Sequence, residues 1–172
     1  MQQIVSHRLV ASYKHLPAIG KLAASLLICG ATGIASDLMS HSGSDTWFNS
    51  LVKPSWNPPG YLFAPIGTVL YFLMGIALWL ILKSDAPAAD KKYTVSLFAI
   101  QLFLNFLWSV FFFKFQLPAL AFLDSILMFI AILLTMFSFG AISKLACWLL
   151  LPCILWVSFA TILNCQLWSL NQ

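Results

Sequence analysis

The chain has 172 residues, of which 61% are hydrophobic and only 8% are charged, and its mean hydropathy is +0.92. A soluble domain is about one quarter charged, so this composition excludes a soluble globular protein and predicts a surface that faces lipid. The formal net charge is +4, but no basic stripe runs along the chain, and we therefore expect no nucleic-acid partner.

Apolar segments long enough to cross a bilayer, which takes about 20 mostly apolar residues, fill most of the chain. They predict an all-α membrane protein, with residues 1–172 forming a single domain built as a five-transmembrane-helix bundle. In the first helix, Gly20, Ala24, Ala31 and Ala35 predict close helix contacts. The polar segment 83–92 is expected to be a surface loop. The predicted helices cover residues 17–39, 61–82, 93–113, 118–140 and 145–170.

The basic residues predict the orientation of the bundle. Five spans place the two ends of the chain on opposite sides of the membrane, and the side that carries more Lys and Arg in short loops is normally cytoplasmic. A cytoplasmic N-terminus and an outward first loop are therefore favoured if the membrane is a bacterial plasma membrane, which is the expected location. The N-terminal side carries Arg8, Lys14, Lys21, Lys83, Lys91, Lys92 and Lys144, whereas the other side carries Lys53 and Lys114.

The loop between the first two helices is rich in aromatic residues and prolines. Prolines stiffen a loop because they fix φ, and the aromatic rings give such a loop something to bury. The loop could fold back as a lid over the mouth of the bundle, or its rings could form an aromatic belt at the membrane interface. The predicted lid residues are Lys53, Pro54, Trp56, Pro58 and Pro59.

Polar side chains within the predicted helices are the next candidates. Gln101 and Asn105 share a face of the third helix, where they either contact a ligand or join neighbouring helices. Asp124, in the fourth helix, is a candidate ligand or proton group by default, although it could also pair locally with Lys114. On the fifth helix an aromatic stripe that includes Trp156 serves either packing or binding.

The chain offers little for conventional catalysis. No Ser or Cys is predicted to lie within reach of a histidine, and paired acids are absent, so we expect no hydrolase and assign no catalytic residue. The four cysteines are widely spaced and lie in apolar runs, and the histidines lack partners at metal-ligand spacing. We therefore expect neither a metal site nor a bound cofactor.

Several ordered motifs resemble those of the TspO/MBR family, the tryptophan-rich sensory proteins of bacteria and the mitochondrial translocator protein. The resemblance covers about residues 17–171, and the separations between its motifs also match. The motifs are WFxxLxKPSWxPP from Trp47, FxP from Phe63, LYxxMG from Leu70, QLxLNxxWS from Gln101, AxLLxP around Ala146 to Pro152, WxxFATxLN from Trp156, and LN at Leu170.

The resemblance implies a five-helix bundle, often a homodimer, with a ligand cavity that the first loop closes. It implies a tetrapyrrole ligand such as protoporphyrin, with a role as sensor, regulator or carrier. Light- and oxygen-dependent porphyrin breakdown, and transport of porphyrin or lipid, are the alternatives. The mitochondrial outer membrane is the implied location for a eukaryotic member. The cavity positions that the resemblance implies are Trp47, Phe48, Asn105, Trp108, Trp156 and Ala160.

The sequence departs from the family pattern in three respects. Gly67 stands where many relatives have a tryptophan that has been linked to porphyrin breakdown, which counts against that activity here. Cys153 replaces the usual tyrosine of the fifth helix. Cys165 and Ser169 stand where the cholesterol motif of the animal proteins has a tyrosine and a basic residue, so that motif is missing.

Overall fold

The computed structural model describes residues 17–41 and 44–172, so Arg8 and Lys14 lie outside the described part of the chain. Within it, five helices are long and apolar enough to cross a membrane, which confirms the predicted fold class. A further short helix, Ser44–Ser50 (the loop helix), lies between the first two spans. The spans are α1 (Ala18–His41), α2 (Phe63–Lys83), α3 (Ala88–Ser109), α4 (Pro118–Ile142) and α5 (Lys144–Leu149 continued by Leu151–Leu170).

The outer faces of the helices are apolar, as they must be when the surrounding solvent is lipid. Each of the five spans presents large apolar side chains on its exposed face, for example Leu27, Phe72, Phe103, Leu127 and Leu155. A soluble protein rarely exposes contiguous apolar surface on this scale. The chain is therefore an integral, multi-pass membrane protein.

Helix α1 packs most extensively against α2, and two glycines set the distance between them. A Cβ atom at Gly75 would lie 2.8 Å from the side chain of Leu26, and one at Gly33 would lie 2.7 Å from the ring of Tyr71. Small residues allow this close approach in membranes. Of the small residues that the sequence analysis assigned to close contacts, Ala31 is exposed and lines, with Ala35, a groove between α1 and α3.

Helix α3 differs from its prediction at both ends. It begins at Ala88 rather than at Tyr93, because charged residues in a first turn that lies outside the lipid do not prevent helix formation. At its other end it continues as a π-helical turn, Val110–Lys114. Gln116 then takes a left-handed conformation with φ 55°, and Pro118 starts α4 at a position where proline is well tolerated.

The turn between α4 and α5 is capped locally. The hydroxyl oxygen of Ser143 accepts a hydrogen bond from the backbone N–H of Ala146 at 3.3 Å, which satisfies one of the free donors of the new helix. This short turn makes α4 and α5 antiparallel neighbours, and α4 also packs along α3. The three helices together form one side of the bundle.

Candidate ligand-binding site

The first loop folds back over one end of the bundle, at the point where α3 ends. The loop helix brings the ring centroid of Trp47 to 5.5 Å and that of Phe48 to 6.1 Å from the ring of Phe112. Phe112 is buried, with 2% of its surface exposed. On the outer side, the Lys53 ammonium lies 4.6 Å from the centroid of the Phe48 ring, in a cation–π contact. The arrangement has the geometry of a lid.

The rest of the lid runs from Val52 to Pro59 and reaches the other side of the same opening. Trp56 is 44% exposed, yet its ring lies 5.8 Å from that of Phe159 on α5. Pro54 and Pro58 are partly buried, whereas Pro59 is exposed. A tight turn closes at Pro54, whose carbonyl accepts the N–H of Asn57 at 3.0 Å. The lid thus contacts α3 through one end and α5 through the other.

A side chain from the far end of the chain fastens this lid. The amide of Asn171 accepts the N–H of Val52 at 2.8 Å and donates to the carbonyl of Val52 at 3.0 Å. The same amide nitrogen donates to the carbonyl of Leu167 at 2.8 Å, which fixes the side chain against α5. We call this pairing of Asn171 with Val52 the latch. The sequence analysis did not predict it.

Helix α3 supplies one wall beneath the lid. The ring of Trp108 stacks on Phe112 at 5.2 Å, with an interplanar angle of 11°. One turn deeper, the amide of Asn105 accepts a hydrogen bond from the Tyr71 hydroxyl and donates to the sulfur of Met128 at 3.5 Å. Asn105 therefore joins α3 to α2 and α4, which is one of the two roles that the sequence analysis left open for this residue.

Helices α2 and α5 supply the opposite wall. The ring of Trp156 lies 5.5 Å from Phe63 on α2 and 5.5 Å from Phe159 one turn along α5. Ala160 is partly buried beside them. The predicted residues thus fall into two groups, one around Phe112 and one around Phe159, and both central rings belong to the same apolar cluster. Of these two central phenylalanines, sequence reasoning missed Phe112, whereas it placed Phe159 on the aromatic stripe of the fifth helix without assigning it to the site.

Two of the positions that depart from the family pattern lie beside this second wall. A Cβ atom at Gly67 would meet no atom within 4 Å, and Gly67 lies one helical turn after Phe63 on α2. Cys153 is buried, and its sulfur lies 3.9 Å from the backbone carbonyl of Leu70. The Gly67 position therefore has open space next to it, whereas the Cys153 position is filled.

Comparison with known proteins agrees with these observations. The model of the TspO/MBR family matches residues 25–169. The chain is 42% identical over 150 residues to the tryptophan-rich protein TspO of Chlorobaculum tepidum, covering 87% of this chain and 95% of that protein. It is 32% identical over 146 residues to the tryptophan-rich sensory protein of Cereibacter sphaeroides, covering 85% and 88%. It is 31% identical over 158 residues to the human translocator protein, covering 91% of each chain.

Proposed function

This chain belongs to the TspO/MBR family, and on that basis we propose that it binds tetrapyrroles beneath the lid and acts as their sensor, regulator or carrier. The proposed ligand class is protoporphyrin and related porphyrins of the haem pathway. The names of its relatives, a sensory protein and a translocator protein, support both a sensing and a carrying role. We propose a bacterial plasma membrane as its location, where the charge distribution of the loops favours a cytoplasmic N-terminus.

One observation carries this proposal: aromatic rings from the lid, α2, α3 and α5 converge on one end of the bundle. Indole and phenyl rings offer large flat apolar surfaces on which a planar macrocycle can stack. Binding pockets for such ligands combine apolar walls with a few polar groups that set orientation. In the present conformation the rings contact one another, so the ligand enters only when the lid moves away.

The proposal is tested by titrating purified protein with protoporphyrin in detergent, in the dark, and following tryptophan fluorescence. We expect saturable quenching. Trp156→Phe removes part of one wall and should weaken binding about two- to tenfold, the range of one aromatic contact. Trp148→Phe is the matched control, because Trp148 is 66% exposed on the outer face and should not affect affinity.

Asn105 needs a control of its own, because it already joins three helices. Asn105→Ala removes the amide together with its contact to Met128 and the hydrogen bond from Tyr71. Tyr71→Phe keeps the amide and removes that hydrogen bond and the one to the Ser36 hydroxyl at 3.4 Å. If the amide contacts the ligand, only Asn105→Ala weakens binding. Equal effects of the two variants would assign Asn105 to helix packing alone. Quenching that never saturates, unchanged in all variants, would mean that porphyrin partitions into the micelle and would refute the proposed function.

Porphyrin breakdown driven by light and oxygen is the second candidate, and the open space beside Gly67 allows a direct test. Gly67→Trp restores the indole that many relatives carry, and its Cβ atom would meet no atom within 4 Å. If the site supports breakdown, illuminated Gly67→Trp protein should bleach protoporphyrin faster than the wild type. A rate equal to that without protein would remove support for the enzyme. Transport is tested separately, by protein-dependent porphyrin flux into sealed vesicles.

A further inference from the structure

Among the described residues, Asn57, Gln101 and three further side chains have buried polar atoms without a hydrogen-bond partner. The three further side chains lie one each on α3, α4 and α5. They are the indole nitrogen of Trp108, one carboxyl oxygen of Asp124, and both the oxygen and the nitrogen of the Asn164 amide. Asp124 is 4% exposed and Asn164 is 1% exposed. Most buried polar groups in proteins are paired, so several unpaired groups on adjoining helices require an explanation.

The packing of α4 against α5 places Asp124 and Asn164 within about one helical turn of each other in depth. Met128 packs in one cluster with Val157, and Ala121 packs in another with Leu163. Asp124 lies between Ala121 and Met128 on the inner face of α4, about one turn from each. Because the helices are antiparallel, the part of α5 that faces Asp124 lies between Val157 and Leu163, and Asn164 follows directly after it on the lid side.

The packing of α3 against α4 adds Trp108 to the same level. Asn105 on α3 contacts the sulfur of Met128 on α4. One turn nearer the lid, the corresponding residues are Trp108 and Asp124, because the two helices are also antiparallel. Trp108 in turn stacks on Phe112, which the lid residues contact. The three side chains therefore form a level of polar groups, the polar level, about one helical turn beneath the aromatic rings.

Leaving these groups unpaired is costly. A buried donor or acceptor without a partner destabilises the fold, and polar side chains inside a membrane protein are functional candidates by default. The chemistry of the polar level is specific: an indole N–H that only donates, a carboxyl group, and an amide that both donates and accepts. The matching group must itself both donate and accept.

We propose that the polar level binds a carboxylic acid side chain of the ligand, which enters from the lid side and orients the macrocycle. This inference rests on the proposed function, since porphyrins of the haem pathway carry such side chains along one edge of the ring. An uncharged carboxylic acid has an O–H that donates and a carbonyl that accepts. Lysine side chains of the described helices lie near the helix ends, so no cation at this depth favours the ionised form.

The test compares protoporphyrin with its dimethyl ester, which keeps the macrocycle but has lost both O–H donors. In the wild type we expect the acid to bind about tenfold more tightly than the ester, the effect of one buried hydrogen-bonded group. Asn164→Leu and Asp124→Leu should each weaken binding of the acid about tenfold and leave binding of the ester within about twofold. Asp124→Asn keeps a donor and an acceptor and should retain most of the preference for the acid.

Thr135→Val is the matched control. Thr135 is fully buried on α4, and its hydroxyl donates within the same helix to Ala131 at 2.7 Å. Thr135→Val should leave the ratio of the affinities for the acid and the ester unchanged. If a leucine variant does not fold, the ratio of acid to ester affinity in the wild type and in Asp124→Asn still tests whether the polar level binds the carboxylic acid.

Two results would overturn the inference while leaving porphyrin binding intact. The first is saturable binding of acid and ester with equal affinity to the wild type. The second is a loss of affinity for both ligands in Asn164→Leu, which would assign the polar level to helix packing or to ordered water. If neither ligand binds saturably, the proposed function fails, and this inference fails with it.

Discussion

The latch between Asn171 and Val52 gives the sharpest prediction about how the site opens. Asn171→Ala removes two hydrogen bonds that join the C-terminal end of α5 to the lid, at 2.8 and 3.0 Å. An intramolecular hydrogen bond contributes about 0.5–1.5 kcal/mol net, and Val52 is 58% exposed, so the lower half of that range applies. We expect the closed lid to lose about 1–2 kcal/mol, which raises the open population about 5- to 30-fold.

Hydrogen exchange measured by mass spectrometry reports this change directly. Peptides covering residues 44–59 should exchange faster in Asn171→Ala by about the same factor as the open population increases. Peptides from the middle of α3 should be unchanged, because the latch does not contact that segment. Ser169→Ala is the control, since Ser169 is exposed in the same final turn of α5. Porphyrin association and dissociation should both become faster in Asn171→Ala.

Exchange in residues 44–59 that stays within about twofold of the wild type would refute this reasoning. It would show that the aromatic contacts of Trp47, Phe48 and Trp56 hold the lid without help from the C-terminal end. Faster exchange throughout the bundle would refute it in a different way, because the latch would then stabilise the whole fold rather than the lid.

Two further predictions concern packing. Gly75→Ala should destabilise the bundle by about 1–3 kcal/mol, because its Cβ would lie 2.8 Å from the side chain and 3.2 Å from the backbone of Leu26. Gly30→Ala is the control, because a Cβ atom at Gly30 would meet no atom within 4 Å. Equal thermal unfolding of the two variants in detergent would contradict the close contact at Gly75. Phe112→Ala should cost about 3–5 kcal/mol and loosen the lid, whereas Phe137→Ala, at a position 76% exposed, should cost far less in the same assay.

The contacts of Asn105 show how one residue can serve structure and binding together. Its amide joins α3 to α2 through Tyr71 and to α4 through Met128. These bonds hold the wall of the site in place, so a ligand that also contacts the amide must compete with them or share it. This is why the paired variants at Asn105 and Tyr71 are needed, and why neither substitution alone distinguishes the two roles.

The sequence by itself determined the architecture, because lipid imposes a simple rule on it. Each span needs about 20 mostly apolar residues, and such runs are visible without knowledge of any contact. The composition of the aromatic loop left a lid and an interfacial aromatic belt as alternatives, and the ordered motifs identified the family, whose resemblance implied the lid. The beginning of α3 was predicted less well, because residues 88–92 are polar and helical outside the lipid, where composition does not distinguish a helix from a loop.

The tertiary structure alone decided which side chains meet. The latch joins residues 119 positions apart, and the polar level combines one residue from each of three helices. The loop helix and the π-helical turn after Ser109 also depend on local packing that no periodic pattern records. Hydropathy is a property of single segments, whereas a site depends on the register and rotation of helices against each other. Those are set by close contacts such as those of Gly33 and Gly75, which form only when the bundle assembles.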